Sequence, residues 1–281
     1  MVLTLPATQV PQSSADPVNL FYCFQNVDGG AEGFYTVHNP FQISGPKGYR
    51  EVKILENGDM YVRTDLPGCD FVDVRIDSLK KSVTSRTLVA SPFDPIVNPY
   101  ESFTPRSYST TDRLMCDCCR ISLVKYHKIT DGVLRVVIST TPTSDPQNRA
   151  GHAILNNTDP NDPRLTGLIP STGNPHLIQG HGSGAYEFKS VTDGTAYVRL
   201  DMPGVPKHLF NAKVNYGELK PCKRSRREST VVVTGTAPAV DQDSGDRVYS
   251  AIAAIVYDST GAILLESDPE NGVMRLTIRA S

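Results

Sequence analysis

The chain has 281 residues, with 28 Lys and Arg against 30 Asp and Glu and a formal net charge of −2. So small a charge excludes general electrostatic attraction to nucleic acid or to an anionic membrane surface. Apolar residues at 39% and charged residues at 21% are ordinary for a globular chain, while 21 Gly, 21 Pro and no Trp point to many turns.

Residues 1–19 are rich in Pro, Ser, Gln and Ala and read as a disordered extension. Met1–Pro11 has neither a basic start nor a long apolar run, so no secretory signal is expected. The six cysteines then read as reduced thiols of an intracellular protein. The longest apolar run, Ala251 to Tyr257, is far short of a membrane span. Leu20–Phe24 and Gly33–Val37 are short aromatic-rich runs, read as strands covering an edge of the first domain rather than as a docking segment.

Tyr61-Val62-Arg63-Thr64-Asp65-Leu66-Pro67-Gly68 is the first statement of a phrase that returns as Tyr197-Val198-Arg199-Leu200-Asp201-Met202-Pro203-Gly204. Alternation puts Val198, Leu200 and Met202 on one face of a strand and Tyr197, Arg199 and Asp201 on the other, so a half-buried strand is expected. Pro-Gly then sets a sharp turn, because proline fixes φ and glycine accepts positive φ. Gly48–Gly68 aligns without gaps onto Gly184–Gly204, sharing Glu51/Glu187, Lys53/Lys189 and Gly58/Gly194 as well. Gly132-Val133-Leu134-Arg135 is echoed by Gly272-Val273-Met274-Arg275, and Asn39-Pro40 by Asn174-Pro175. A repeat of this length is a small domain rather than a solenoid unit. The expected organisation is an N-terminal extension (1–47), a first domain (48–140), a Pro/Asn/Gly-rich linker (141–183) and a second domain (184–281).

In the first domain Val72, Val74 and Ile76 alternate with Asp73, Arg75 and Asp77, predicting a half-buried strand. Thr87–Ala90 predicts another. Pro92–Asp112, with four prolines, reads as a long loop. Arg120–Tyr126 and Val133–Ser139 predict a hairpin about Asp131-Gly132. In the second domain strands are expected at Phe210–Tyr216, Val231–Thr234, Val248–Tyr257, Ala262–Glu266 and Val273–Ile278, with a hairpin turn at Asp258–Gly261. With no convincing amphipathic helix, the fold class expected is all-β, two tandem antiparallel sandwiches.

The chemistry-bearing residue types make no catalytic, cofactor-binding or metal-ligating set. Cys116, Cys118 and Cys119 contain a Cys-x-x-Cys spacing without the second pair that zinc needs, and read as thiols on or beside a strand. His176 and His181 flank a Gly-rich run that lacks Gly-Lys-Ser/Thr, so it reads as a flexible lead-in. Arg63/Asp65 and Arg199/Asp201 read as surface ion pairs worth well under about 1 kcal/mol, or as carboxylates capping the turn amides. Lys223, Arg224, Arg226 and Arg227 form a basic loop that is either a solvated surface or a partner-binding or nuclear-import patch. Asn156-Asn157-Thr158 fits a glycosylation sequon that an intracellular chain does not use.

The pattern of Asp65-Leu66-Pro67-Gly68 and Asp201-Met202-Pro203-Gly204 followed by Gly132-Val133-Leu134 and Gly272-Val273-Met274 resembles the α-crystallin domain of small heat-shock proteins. It is most similar to plant members of that superfamily. The signature positions are Asp65, Pro67, Gly68 and Gly132 in the first domain, and Asp201, Pro203, Gly204 and Gly272 in the second. The resemblance implies an immunoglobulin-like sandwich and no enzymatic activity. It further implies ATP-independent holding of unfolding clients through sheet edges and grooves. The alternative it implies is an adaptor or scaffold subunit of a defined complex, nuclear chromatin-associated assemblies included. Partners expected are unfolding clients or one specific protein, with self-association through these domains, no cofactor, no membrane and no direct nucleic acid. The location expected is cytoplasmic, with the nucleus as the alternative. Two departures stand out: no Ile-x-Ile tail follows Arg279, and no Arg-aromatic strand ending in Leu-Pro precedes Gly132 or Gly272. Large-shell assembly is therefore not expected. Tandem fusion would instead pair the two domains within one chain.

Overall fold

A computed structural model describes residues 2–4, 24–26, 37–57, 59–89, 106–114, 119–142, 169–170, 173–179, 184–190, 195–220, 226–258 and 263–280. Ahead of the first domain lie β1 (Val2–Thr4), β2 (Phe24–Asn26), β3 (Val37–His38) and β4 (Gln42–Ser44). The first domain holds β5 (Arg50–Ile54), β6 (Met60–Asp65), β7 (Asp73–Ile76), β8 (Ser82–Val89), β9 (Arg106–Leu114), β10 (Cys119–Thr130) and β11 (Val133–Pro142). Two short strands, β12 (Ile169–Pro170) and β13 (Leu177–Gln179), come next. The second domain holds β14 (Tyr186–Ser190), β15 (Ala196–Asp201), β16 (Phe210–Lys220), β17 (Arg226–Ala237), β18 (Arg247–Asp258), β19 (Ile263–Glu270) and β20 (Val273–Ala280). The helical residues among those described are the single 3₁₀ turn Lys207–Leu209.

Each domain is a pair of antiparallel sheets, as the alternating apolar pattern predicts. The first packs β10-β11-β6-β5 against a sheet whose path runs β9-β8-β7. The second repeats this with β14-β15-β20-β19 against β18-β17-β16. The cores follow the alternation. Met60, Val62, Leu66, Val83, Leu134, Val136 and Ile138 fill the first. Val198, Leu200, Met202, Val231, Val233, Leu276 and Ile278 fill the second. Each such side chain contributes roughly 1.5–3 kcal/mol by leaving water.

Two strand expectations are corrected. Asp258–Gly261 does not join a hairpin, because β18 and β19 lie in different sheets of the second sandwich and β19 pairs instead with β20. Turn-rich composition between two strands does not say whether they share a sheet. The Pro92–Asp112 segment is not loop throughout: Arg106–Leu114 is a nine-residue strand. Its Ser/Thr-rich stretch carries few apolar residues, yet Arg106–Thr110 is buried throughout, with Arg106 against Asp201 of the other domain and Tyr108 in the first core. The rest of that segment lies outside the described residues.

The domains also trade strands. β4, which leads into the first domain, pairs with β18 of the second. β13, which leads into the second, pairs with β9 of the first. The registers correspond: Tyr249 faces Gln42 and Val248 faces Ser44, just as Tyr108 faces Leu177 and Ser107 faces Gln179. The exchanged segments carry side chains into the opposite domain. Phe41 is buried in the second core, edge-on to Tyr186 at 6.3 Å between ring centroids. Leu177 packs against the first core.

Candidate functional site

The Pro-Gly turns and the Gly-Val hairpins meet where the two domains join, and almost every contact there occurs twice with the domains interchanged, as at a twofold interface. Asp131-Gly132 and Asn271-Gly272 each have positive φ at both residues (49° and 67°, 48° and 69°), the tight-hairpin pattern that matches strand twist. Gly68 N–H donates to Asn271 O at 2.8 Å, and Gly204 N–H donates to Asp131 O at 2.7 Å. Each hairpin thus receives the opposite domain's Pro-Gly turn. A Cβ on Gly132 would overlap the Asn271 carbonyl oxygen and lie 2.8 Å from Pro67 Cα. On Gly272 it would overlap Asp131 O and lie 2.9 Å from Pro203 Cα. Glycine is needed at both for conformation and for room.

The Asn-Pro echoes have the same logic. Asn39 Nδ2 donates to Asp201 O at 2.6 Å, and Asn174 Nδ2 to Asp65 O at 2.8 Å. Each Asn Oδ1 accepts an amide two residues on, Phe41 N–H and His176 N–H, both at 2.9 Å, which is an Asx turn. Ser250 N–H donates to Phe41 O at 2.8 Å and Ser109 N–H to His176 O at 2.9 Å. One asparagine therefore bends each lead-in and fastens it to the other domain's phrase.

The Arg/Asp pairs are not on the surface. Arg63 and Asp65 are only 2% and 1% exposed and lie 2.6 Å apart. Arg199 Nε donates to Asp201 at 3.0 Å, equally buried. Each aspartate also takes an arginine of the other domain: Arg247 Nη1 at 3.4 Å on Asp65, and Arg106 Nη1 at 3.0 Å on Asp201. The turn amides Gly68, Cys69, Gly204 and Val205 are bound by carbonyls instead of by these carboxylates. Both expectations for these residues are thus corrected. All six residues of β6 and of β15 are buried, because the face that alternation assigns to water is the face the other domain covers. Tyr108 and Tyr249 complete the pairing, donating at 3.0 Å to Pro67 O and Pro203 O. Burial, with the Asp65 charge second, pushes the Tyr249 hydroxyl up to about 12, so it serves as a donor at any ordinary pH.

One contact set is not duplicated among the described residues. The loop between β17 and β18 lays Asp243 against the first domain. Its carboxylate accepts from Arg135 Nε (3.1 and 3.2 Å), Arg135 Nη2 (2.7 Å) and Tyr61 Oη (2.5 Å), with Arg63 at 3.6 Å. Ser244 N–H and Oγ donate to Glu51 at 3.1 and 2.7 Å. Burial would raise the Asp243 carboxyl, but the Arg135 hydrogen bond and the Arg63 and Arg135 charges hold it below the usual range. Burial would likewise weaken the Arg63 guanidinium, yet Asp65, Asp243 and Glu51 keep it charged.

The other sequence-level candidates fall away from the junction. Lys223 and Arg224 lie outside the described residues, and Arg226 and Arg227 open β17, facing Asp258 and Tyr257. They belong to a strand, not to the basic loop expected. Cys119 is buried at the start of β10, while Cys116, Cys118, His181 and the sequon lie outside the described residues. His176 is fully buried at the junction, not in a flexible lead-in. Among the described residues no three His, Cys, Asp or Glu are grouped to hold a metal, and no helix is long and apolar enough to cross a membrane. Arg106, Arg247, Tyr108 and Tyr249 were not singled out from sequence. A further echo, Arg106-Ser107-Tyr108-Ser109 against Arg247-Val248-Tyr249-Ser250, carried the signal.

Away from the junction the first domain leaves an open flank. β7 ends its sheet, so its outer edge has no paired strand among the described residues. A cavity of about 480 Å³ lies along β7 and β8, lined by Asp73, Arg75, Ile76, Asp77, Thr84 and Arg86. Another of about 320 Å³ lies between the β7–β8 turn and β10, with Leu79, Lys80, Arg120 and Ile121 on its walls. Phe71, Leu79 and Leu123 are exposed in this domain, Leu79 on the wall of the second cavity. In the second domain β16 is the corresponding terminal strand, with Tyr216 exposed.

Comparison with known proteins agrees with this architecture. A relative from Arabidopsis thaliana named "Putative 57 kDa heat shock protein" is 26% identical over 305 aligned positions. The alignment covers 76% of this chain and 53% of the relative, so the chain spans about half the relative's length. A family profile described as "Predicted plant small heat shock protein" matches residues 23–281. The chain belongs to that plant small heat shock protein family.

Proposed function

We propose that the chain is a holdase: it binds unfolding proteins without ATP and keeps them from aggregating, and does no covalent chemistry. The observation that carries this reading is the open flank of the first domain, where an unpaired strand edge runs beside two grooves and the exposed Leu79 lines one of them. An edge offers main-chain hydrogen bonds to any extended segment, and the apolar side chains reward whichever residues alternate beside it. Such a surface selects for unfolded chain rather than for one sequence. The test is heat aggregation of a model client with the purified chain at equimolar ratio and no nucleotide. Suppression is expected; unchanged light scattering overturns the reading.

A second reading rests on the junction. Because the domain-pairing surface is filled within one chain, a discrete monomer that serves as an adaptor in a defined complex is the competing function. Affinity capture from cells under normal growth tests it. A fixed, stoichiometric partner supports the adaptor; a heterogeneous set of misfolded proteins counts against it.

A further inference from the structure

The outer edges of β9 and β18 are equivalent, since Arg106 and Tyr108 occupy on one the places of Arg247 and Tyr249 on the other. Each edge is only partly covered by the exchanged lead-in, at Ser107–Tyr108 and at Val248–Tyr249. Further along, each takes a second, separate strand. β2 sits antiparallel on Asp112–Leu114, with Phe24 facing Leu114. β1 sits antiparallel on Ala254–Val256, with Val2 facing Val256. Both come from the first 26 residues, and residues 5–23 tether one to the other. Counting from the shared arginines, Asp112–Leu114 corresponds to Ala253–Ile255, so the two segments dock within one residue of the same place.

The two docked sequences, Val-Leu-Thr and Phe-Gln-Asn, have nothing in common. What they share is an extended backbone, so the edge recognises main chain and asks little of side chains, as in strand addition. A three-residue strand makes few ladder bonds against the entropy of ordering it. It remains in place chiefly because the tether keeps it at high effective concentration.

We propose that these two edge stretches, Asp112–Leu114 and Ala254–Val256, are acceptor sites for extended segments of unfolded proteins, and that the chain's own N-terminal strands are internal competitors for them. The proposal rests on the holdase reading and adds to the β7 flank two further edges that accept a client, and what withholds them. The extension guards both domains at once, one strand to each, so its release opens two sites together.

Proline tests this in the full-length chain, because it lacks the N–H a ladder needs and is rejected from paired strand positions. Leu3→Pro and Gln25→Pro are made singly and together, and binding of a fluorescein-labelled peptide of residues 1–8 is followed by anisotropy. The double variant is expected to bind the peptide at least tenfold more tightly than the parent, with two sites against one for each single variant. Amide exchange at Asp112–Leu114 and Ala254–Val256 is expected to quicken in the matching single variant while the junction amides Gly68 and Gly204 stay protected, which separates undocking from unfolding. Equal peptide binding by parent and double variant overturns the proposal, as does unchanged exchange. So does a parent that scatters as a dimer and a double variant that scatters as a monomer, since the extensions would then pair between copies. If peptide binding rises but no variant suppresses client aggregation, the holdase reading falls and the acceptor edges stand; if the parent suppresses aggregation but peptide binding is unchanged, the reverse holds.

Discussion

Gly132→Ala is the most direct test of the junction. Two costs add at that position. Gly132 has φ +67°, a left-handed conformation that costs an L-residue roughly 1–2 kcal/mol. The new Cβ also overlaps the Asn271 carbonyl oxygen and presses on Pro67 Cα and Gly68 N, at 2.8 and 3.1 Å. All three are backbone atoms in a buried turn and cannot swing aside as a side chain would. Overpacking of this kind costs about 1–3 kcal/mol. Displacing Asn271 also weakens the 2.8 Å bond it accepts from Gly68, worth about 1 kcal/mol. The sum is about 3–6 kcal/mol, or roughly 6–24 °C in Tm at some 2–4 °C per kcal/mol. Gly48→Ala is the internal reference. Its φ is +99°, but its Cβ meets nothing closer than Arg50 O at 3.4 Å, so only the conformational cost applies. Both variants are compared with the parent by calorimetry and by urea unfolding. The junction is refuted as the reason for glycine here if Gly132→Ala loses no more stability than Gly48→Ala.

Asp243→Ala leaves Arg135 and Tyr61 facing the gap and should cost about 3–5 kcal/mol, the usual penalty for stranding one half of a buried pair; a loss under about 1 kcal/mol by urea unfolding would show that the loop does not dock. Acid should weaken the fold through two histidines. Burial, with Arg50 second, lowers the His176 pKa to about 3; burial, then Lys47 and Arg247, lowers that of His38 to about 4. Both titrate near 6.5 when unfolded, so below that pH the unfolded chain binds protons the folded chain refuses, and stability falls with pH until the folded pKa is reached. Each group adds a slope of up to about 1.4 kcal/mol per pH unit. His176→Phe, which installs the residue type that Phe41 supplies to the opposite domain, should remove one of the two contributions between pH 6 and 4. Identical slopes for parent and variant would exclude His176 as a source.

The legible part of this protein was whatever obeys a local period. Val198, Leu200 and Met202 alternate because one sheet face must be apolar, and Pro67-Gly68 stops a strand because its φ values allow little else. The repeat made the two-domain plan readable in the same way. What sequence reading missed depends on the second domain being present. Arg63 and Asp65 look like surface residues on a half-buried strand, and they would be if the sandwich stood alone. Burying four charges on such a face is feasible only when the opposite domain supplies Arg247 to Asp65 and Arg106 to Asp201. The cross-domain partner of each aspartate is distant in sequence, and only the recurrence of Arg-x-Tyr-Ser points to it. Asn39 and Asn174 were noticed as an echo, but an Asx turn that binds a carbonyl 162 or 109 residues away leaves no local trace. The Asp258–Gly261 misreading has the same origin: turn chemistry is local, whereas the sheet a strand joins is not.

The exchange of lead-ins makes each domain incomplete without the other, and the consequence can be measured by cutting the chain between residues 150 and 151. Fragment 151–281 then lacks Phe41, whose loss from a core costs about 3–5 kcal/mol when truncated to Ala. It also lacks the Asn39 bond to Asp201 O and the Arg106 partner of a fully buried Asp201, each worth a few kcal/mol by the usual penalties for stranding buried polar groups. Fragment 1–150 lacks Leu177, the Asn174 bond to Asp65 O, and Arg247. Small domains carry only about 5–15 kcal/mol in total, so neither fragment should fold cooperatively as a monomer, while a 1:1 mixture should recover the parent's spectrum and most of its Tm. A fragment that instead folds as an obligate homodimer meets the same requirement, because each holds one lead-in and one acceptor edge and two copies can trade them. That outcome would show what the duplication preserved: a pairing between identical domains, now made between unlike ones on a single chain. The reasoning fails if either fragment, monomeric by light scattering, melts cooperatively within a few degrees of the parent.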